Sequence, residues 1–229
     1  MASPSISGRV LGIFAKWPSP GQAKTRLSPA DPTWGARVAE AFLRDSLHRF
    51  EKLDARRVLA FAPVERTTDF AALTGTHYEL TPQGEGDLGQ RLDAFFAQQF
   101  ERGARAVAVV GTDSPTLPMA YVEQAFTALE SADVVLGPST DGGYYLIGCR
   151  ARHPPLFENV AWSSSRVLAD TINALSDPQW ILSLLPPWYD VDEAADWDML
   201  CGHLVALRRA GIDPNAPHTE ELIRTIRGS

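Results

Sequence analysis

Cysteine, long apolar runs and an excess of positive charge are all scarce in this sequence of 229 residues. Its two cysteines, Cys149 and Cys201, have no CxxC partner and lie in apolar segments. We therefore expect buried free thiols rather than a disulfide scaffold or a thiolate zinc site. The apolar stretch from Val10 to Ala15 is too short for a signal peptide or a membrane span, which favours a cytoplasmic protein without a membrane partner.

The charge balance is acidic. The 21 Lys and Arg residues against 28 Asp and Glu residues give a formal net charge of −7. A broad basic face for nucleic acid is therefore not expected, and any bound phosphate must be met by local cations. The 45% of hydrophobic residues is typical of a folded globular protein, so wholesale disorder is not expected either.

Strand-like and helix-like segments alternate along the chain, which predicts an α/β fold with a mainly parallel sheet covered on both faces. The predicted strands are 9–15, 57–62, 78–80, 106–110, 134–136, 144–149 and 180–185. The predicted helices are 33–50, 68–73, 88–102, 119–130, 164–175, 193–209 and 219–227. No linker or repeat marks a boundary, so we expect residues 1–229 to form one domain. In such a sheet, ligands bind at the carboxyl ends of the strands.

The loop after the first strand concentrates positive charge in an acidic protein. Lys16, Lys24 and Arg26 lie in it, and Gly21 allows a sharp turn. Backbone amides and such cations are suited to holding a triphosphate or pyrophosphate. Ala23 stands where a Walker loop requires glycine, so this is not a Walker loop. The alternative is a solvated surface loop with scattered cations.

The segment from Gly84 to Gly89 has the pattern GxGxxG, but it follows a later strand than a dinucleotide fingerprint would. Two compatible interpretations stay open. Asp87 caps the next helix while glycines form the turn, or Gly86 and Asp87 approach the base and ribose of a nucleotide.

Acidic residues follow two further segments. Asp113 comes directly after the apolar strand 106–110, where a carboxylate is well placed for Mg²⁺; an Asx-turn is the alternative. Asp190 and Asp192 point the same way if extended, so they could share a cation or repel each other. Asp192 also fits the N-cap of the following helix, with Glu193 and Asp196 in its first turn.

The loop 139–145 is predicted to lie on the acceptor side of the site. It carries Asp141, Gly142, Gly143 and Tyr144, a mixture suited to a small polar molecule. A turn made by Asp-Gly-Gly is the alternative. Most of the remaining aromatics are expected in the core, whereas Trp162, beside three serines, is a candidate platform for a ligand.

Five motifs in fixed order resemble a bacterial family of glycosyltransferase-A-like proteins of the DUF2064 type. This family is allied to the guanylyltransferases that activate 2-phospholactate and to the nucleotide-diphospho-sugar transferase superfamily. The motifs are FAKWPSPGQAKTRL, GEGDLGQRL, GTDSPTLP, STDGGYYLIG and DVDEAADWDML. The first departs from the Gly-rich loop of the superfamily, because Phe14-Ala-Lys16 stands where glycines are usual.

The resemblance implies a three-layer α/β/α sandwich that binds a nucleotide and Mg²⁺ or Mn²⁺ at the carboxyl edge of the sheet. It implies Lys24 and Arg26 at the phosphates, with Asp113 as the first metal ligand and Asp192 as the second. The residues of catalysis are then Lys24, Arg26 and Asp113.

Three functions remain open at this point. The first is a nucleotidylyltransferase that joins an NTP to a small phosphorylated or acidic acceptor and releases pyrophosphate, chemistry that needs positioning and charge neutralisation. The second is a glycosyltransferase with a nucleotide-sugar donor. The third is a non-catalytic nucleotide-binding protein. The sequence leaves the base, the acceptor and the oligomeric state undetermined.

Overall fold

A computed structural model describes residues 8–27, 30–151 and 154–227 of the chain. The strands are β1 (Arg9–Lys16), β2 (Arg56–Ala62), β3 (Glu79–Pro82), β4 (Ala106–Val110), β5 (Val134–Pro138), β6 (Tyr144–Arg150) and β7 (Leu182–Leu184). The helices are α1 (Pro32–Phe50), α2 (Thr67–Thr74), α3 (Leu88–Glu101), α4 (Met119–Ala128), α5 (Val167–Ala174), α6 (Ala194–Arg209) and α7 (Pro217–Arg227). Strands and helices therefore follow in the predicted order.

The strands form one sheet in the order β3-β2-β1-β4-β6-β5-β7. All neighbouring pairs are parallel except β4 with β6 and β5 with β6. The prediction of an α/β fold with a mainly parallel sheet is confirmed. The antiparallel strand β6 follows β5 through the short loop 139–143, and only an antiparallel neighbour can be reached by so short a connection.

Helices cover both faces of the sheet, which gives the predicted three layers. Alternate residues of β1 show this, because Leu11 and Ile13 pack in the core under α1 and α4, whereas Val10 packs in the core under α3. The core under α3 packs especially tightly against the sheet at Gly12. A Cβ atom at this position would lie 2.6 Å from the ring of Phe95.

A third apolar cluster joins α1, α6 and α7 beside the sheet. The buried carboxylate of Asp45 in α1 fastens the start of α7, because it accepts hydrogen bonds from His218 N at 2.8 Å, Thr219 N at 2.9 Å and Thr219 Oγ1 at 2.6 Å. Burial raises the pKa of Asp45, and the bonds from Thr219 and His218 oppose this rise.

Neither cysteine forms a disulfide. Cys149 is buried as expected, and burial raises the pKa of its thiol. The expectation is wrong for Cys201, which is only partly buried because α6 turns just one side towards the core. In the described part of the chain, no helix combines the length and apolar character needed to cross a membrane.

Candidate functional site

A cavity of about 920 Å³ opens at the edge of the sheet where β1 and β4 end. Between these two strands the chain order reverses, since β2 lies on the far side of β1. Ligands of open α/β sheets bind at such a position. The lining includes six acidic residues, namely Asp113, Asp141, Asp190, Asp192, Glu193 and Asp196. Within the described part of the chain, Arg26 is the one basic residue of this lining.

The ammonium group of Lys24 lies between two of these carboxylates. Its Nζ atom contacts Asp113 Oδ1 and lies 2.8 Å from Asp192 Oδ1. Only 6% of the Lys24 side chain is exposed. Burial lowers the pKa of Lys24, but Asp113 and Asp192 outweigh this effect and raise the pKa above its ordinary value. The two predicted metal ligands are thus brought together, with a cation of the protein between them.

The loop before α1 is shaped to direct Lys24 inwards. Lys24 has a φ of 49°, in the left-handed region that a residue with a side chain seldom adopts. Its backbone lies against Gly35, where a Cβ atom would be 2.7 Å from the carbonyl oxygen of Ala23 and 2.9 Å from that of Lys24. Its Nζ atom lies 5.6 Å from the ring centroid of Phe42, an arrangement that favours a cation.

The other residues of the predicted phosphate loop differ in their position relative to the cavity. Arg26 lines it with a side chain that is 66% exposed, and its Nη2 atom donates to Asp192 Oδ2 at 3.0 Å. Its Nη1 atom lies 3.5 Å from Glu193 Oε1. Lys16 and Gly21 are exposed and are not part of the lining. Phosphate binding by Lys16, Gly21, Lys24 and Arg26 stays a prediction.

Asp190, considered from sequence only as a residue that shares a cation with Asp192 or repels it, lines the cavity. It accepts hydrogen bonds from the hydroxyl groups of Ser114 and Ser139, the second at 2.6 Å. Burial raises the pKa of Asp190 to about 6, the serine hydroxyls oppose the rise, and the charges of Asp113 and Asp141 add to it. A cation shared by Asp190 and Asp192 stays a prediction.

The N-cap predicted for α6 is one residue too early. Glu193, not Asp192, is the N-cap of this helix. The carboxylate of Asp196 accepts hydrogen bonds from Asp192 N at 3.0 Å and from Glu193 N at 2.9 Å. Because these two amides are satisfied by Asp196, the side chain of Asp192 faces Lys24 and Arg26 instead of the helix.

Both interpretations of the segment GEGDLG can be compared with the structure. The capping role is confirmed, because Asp87 Oδ1 accepts from Gln90 N at 2.9 Å and Gln90 Oε1 accepts from Asp87 N at 3.0 Å. Gly86 has a φ of 94°, which fits the expected glycine turn. Neither Gly86 nor Asp87 lines the cavity, whereas Leu88 of the same segment does. Contact with a nucleotide stays a prediction for both.

The loop 139–143 contains the predicted turn and also borders the cavity. Asp141 Oδ1 accepts from Gly143 N at 2.8 Å, the bond of an Asx-turn. Gly142 has a φ of 91°, its carbonyl oxygen accepts from Leu168 N at 2.9 Å, and a Cβ atom there would clash with Ser165. The loop thus docks on the segment that leads into α5. Asp141 and Gly143 line the cavity, and Gly142 does not.

Two aromatic residues complete this side of the cavity. Tyr144, at the start of β6, lines it, and burial raises the pKa of its hydroxyl. Trp162 lines it as well and lies against Gly89, where a Cβ atom would be 2.7 Å from the indole Nε1. Trp162 also packs on Phe157 at a ring-centroid distance of 6.3 Å. A role for either residue with an acceptor stays a prediction.

No group of three or more His, Cys, Asp or Glu side chains suited to a metal ion occurs in residues 8–27, 30–151 and 154–227. A metal at this edge would therefore rest on two carboxylates and on oxygens from elsewhere. Mg²⁺ is commonly held in this way, by one or two carboxylates with substrate phosphates and water.

Comparisons with known proteins agree with the motifs. The model of a family described as uncharacterized protein conserved in bacteria, DUF2064, matches residues 46–164, which is just over half of the chain. A crystal structure from Desulfovibrio desulfuricans G20, provisionally described as a nucleotide-diphospho-sugar transferase, has a TM-score of 0.86 and 28% identity. It covers 97% of this chain, which in turn covers 98% of that one. The resemblance stated above is thereby confirmed.

More distant structures share the fold. The 4-diphosphocytidyl-2C-methyl-D-erythritol synthase from Anaerococcus prevotii has a TM-score of 0.57 at 7% identity, over 89% of this chain and 99% of that one. The inositol-1-phosphate CTP transferase from T. maritima has a TM-score of 0.54 at 15% identity, over 91% and 98%. A search of curated proteins gave no match.

Proposed function

The chain belongs to the DUF2064 family, and its fold is that of nucleotide-dependent transferases. On this basis we propose that it is a metal-dependent nucleotidylyltransferase. It joins an NTP to a small acceptor. An oxygen of the acceptor attacks the α-phosphorus, the bond from that phosphorus to the β-phosphate breaks, and pyrophosphate leaves with the electron pair. Such in-line transfer depends on positioning and charge neutralisation more than on a covalent nucleophile.

The observation that carries the proposal is the pair of carboxylates that shares one cation. Asp113 leaves the end of β4 and Asp192 precedes α6, yet both hold the same ammonium nitrogen of Lys24. The ammonium is a stand-in for a metal ion, and carboxylate oxygens are ligands that Mg²⁺ and Mn²⁺ prefer. Asp113 and Asp192 would hold the metal, which would neutralise charge that develops on the phosphates.

The acidic character of the cavity supports the requirement for metal. Among the described residues, six carboxylates line it against the one guanidinium of Arg26, so a polyphosphate would be repelled unless a cation lay between. The side chain of Arg26 is exposed, and its N–H donors lie beside Asp192. It would bind the phosphates bidentately. Lys24, displaced from between the carboxylates, would have its ammonium available to the same phosphates.

Glycosyl transfer from a nucleotide sugar is the second candidate. The similar structure from Desulfovibrio desulfuricans, described as a nucleotide-diphospho-sugar transferase, favours it. So does the small number of cations in the lining, because a diphosphate carries less charge than a triphosphate. The two reactions differ in what leaves: pyrophosphate in the first and a nucleoside diphosphate in the second.

The decisive experiment supplies the full chain with Mg²⁺, a small-molecule bacterial extract and NTPs labelled at the α-phosphate. We expect label in a phosphatase-resistant product together with an equal amount of pyrophosphate. Release of a nucleoside diphosphate from nucleotide sugars in the same extract would instead establish glycosyl transfer. Nucleotide binding by calorimetry without either reaction would refute both and leave a binding protein.

The variant Asp113→Asn tests the metal part. It should abolish Mg²⁺-dependent nucleotide binding and label transfer while the thermal unfolding transition is kept. Asp69→Asn is the matched control, because Asp69 lies in α2 in an exposed ion pair with Arg66 and does not line the cavity. Metal dependence that survives in Asp113→Asn would exclude Asp113 as a ligand.

A further inference from the structure

One group of lining residues, none of which contacts Lys24 among the ion pairs described above, differs in chemistry from the carboxylate pair. We name it the acceptor half and define it by Asp141, Tyr144, Trp162 and the serines Ser163–Ser165, all of which line the cavity. It is formed where the loop 139–143 meets the segment before α5. Hydroxyl groups, one carboxylate and one indole ring are thus exposed to the same space.

Positive charge is missing from the acceptor half within the described part of the chain. Arg26, the one guanidinium among the described lining residues, pairs with Asp192 and Glu193, neither of which belongs to the acceptor half. Asp141 is exposed and has no ion pair with a basic residue of the described chain, since its Oδ1 atom accepts only from Gly143 N. A phosphate or carboxylate at this place would face a carboxylate of its own sign with no cation to offset it.

The acceptor half also has a fixed apolar wall. Trp162 is held against Gly89 at a distance that leaves no room for a side chain at that position. Leu88 and Leu92 of α3 line the cavity next to it. A flat ring and aliphatic groups stabilise the C–H surface of a ligand, while the neighbouring serine hydroxyls and Asp141 bind its polar edge.

We propose that the acceptor is an uncharged polyhydroxylated compound, a polyol or a sugar, and not the phosphorylated or acidic molecule expected from the sequence. This inference rests on the proposed function, whose second substrate it names by class. Its hydroxyl groups donate to Asp141 and exchange hydrogen bonds with Ser163–Ser165, and its C–H face packs on Trp162. Neither contact requires a cation in the protein.

The group transfer balances with such an acceptor. One hydroxyl oxygen forms a bond to the α-phosphorus and loses its proton to water in the open cleft. The bond between the α-phosphorus and the β-phosphate oxygen breaks, and pyrophosphate leaves with the electron pair. The product is a neutral residue joined to the nucleotide through a phosphodiester.

A cationic acceptor fits the acceptor half less well than a neutral one. Binding of a small ammonium ion usually requires several aromatic faces or free carboxylates around it. Here the wall contributes one indole, and Asp190, the next carboxylate along the cavity, already accepts a hydroxyl hydrogen bond at each oxygen. Asp141 alone, exposed to water, would bind an ammonium only weakly.

The test compares neutral polyols and sugars with their charged derivatives. Glycerol, inositol and glucose are titrated against their monophosphates, with glucosamine as the cationic member, and binding to the full chain is followed by saturation-transfer NMR. Each series is run with Mg²⁺ and a non-hydrolysable NTP analogue, and again without nucleotide. We expect the neutral member of each pair to bind at least about tenfold more tightly than its phosphate.

Charge reversal at one position locates the effect. Asp141→Lys should reverse the preference in favour of the monophosphates. Glu101→Lys makes the same change of charge at the far end of α3, outside the cavity lining, and should leave the preference as it is. Tighter binding of the phosphates or of glucosamine by the unaltered protein, equal binding, or no binding of any member would overturn the proposal.

The arm without nucleotide separates this inference from the proposed function. Preference for neutral polyols in that arm, with no NTP binding by calorimetry, would refute nucleotidyl transfer and keep the ligand class. NTP binding and pyrophosphate release with a phosphorylated compound would support nucleotidyl transfer and refute the neutral ligand class.

Discussion

Gly35 in α1 lies directly against the carbonyl group of Lys24, at a distance that leaves no room for a methyl group. Alanine normally stabilises an exposed helix relative to glycine by up to about 1 kcal/mol. At position 35 the added methyl must push the loop away, so we expect Gly35→Ala to lower the free energy of unfolding by about 1–3 kcal/mol. Urea denaturation measures this change.

Gly202 in α6 is the matched control, because a Cβ atom at that position would meet nothing within 4 Å. Gly202→Ala should therefore raise the free energy of unfolding by up to about 1 kcal/mol. Stabilisation by both variants would mean that the contact between Gly35 and Lys24 does not constrain the loop.

A second prediction concerns competition between Lys24 and a divalent ion. The ammonium occupies the place between Asp113 and Asp192 that we assign to the metal. Lys24→Met removes this competitor, so Mn²⁺ should bind to the nucleotide-free protein about tenfold more tightly, as measured by electron paramagnetic resonance. Lys16→Met removes the same charge from an exposed residue outside the cavity and should change the affinity little. Weaker or unchanged binding in Lys24→Met would contradict a shared cation position.

Arg26 gives a third prediction, on the phosphate end of the nucleotide. Its guanidinium is the basic group that lines the described cavity, so Arg26→Ala should weaken NTP binding by about tenfold and leave binding of the free nucleoside unchanged. Calorimetry with both ligands measures the difference. Arg44→Ala removes an exposed arginine that pairs with Glu40 in α1 and serves as the control. Equal losses for NTP and nucleoside would mean that Arg26 acts on the base, the ribose or the fold.

The fourth prediction concerns the attachment of α7. In Asp45→Ala, the amides of His218 and Thr219 and the hydroxyl of Thr219 lose their acceptor. We expect the free energy of unfolding to fall by about 2 kcal/mol or more, with faster amide exchange confined to α7. Asp31→Ala, which removes the exposed N-cap of α1, should lower the free energy of unfolding by only about 1 kcal/mol. A smaller effect at Asp45 than at Asp31 would contradict this account.

The carboxylate of Asp45 also makes the free energy of unfolding depend on pH, with a definite sign. Burial raises the pKa of Asp45 in the folded protein above its ordinary value of 3.8. A raised acid pKa means that the folded state binds this proton more tightly than the unfolded state. The resulting contribution of Asp45 to the free energy of unfolding is fully present below pH 3.8 and is lost as the pH rises through the folded pKa. The difference in unfolding free energy between the unaltered protein and Asp45→Asn should therefore shift in favour of Asn as the pH rises across this interval. An opposite slope would mean that the three hydrogen bonds outweigh burial.

The order of elements could be predicted from sequence because apolar periodicity reports directly on strands and helices. The strand 106–110 is an example, since its five buried residues are all apolar. The start of α5 was predicted three residues too early, at Ser164 rather than Val167. The hydroxyl of Ser164 bonds locally to Ala161 O and keeps these residues in a turn, a competition that composition alone does not resolve.

The site was harder to predict, because its decisive contacts join distant parts of the chain. Lys24 could be recognised as a cation at a strand end, but its inward direction depends on its left-handed backbone and on Gly35. The sequence indicated Asp190 only beside Asp192, and its two serine partners were missed because Ser114 and Ser139 belong to two other loops. The signal was present only as a serine after each of two predicted strands.

Because β6 is antiparallel to β5, the loop 139–143 is a short turn between two neighbouring strands. This turn is fixed through the backbone, by Ser139 N to Gly143 O at 3.0 Å, Thr140 N to Trp188 O at 3.1 Å and Leu168 N to Gly142 O at 2.9 Å. The side chain of Asp141 adds one hydrogen bond within the turn, because its Oδ1 atom accepts from Gly143 N at 2.8 Å. We expect that residues 140 and 141 can be replaced in the laboratory with the sheet and the carboxylate pair left in place. Ser139, which binds Asp190, and Gly142, which has no room for a Cβ atom beside Ser165, must be kept. One scaffold and one donor chemistry could in this way be coupled to a series of acceptors.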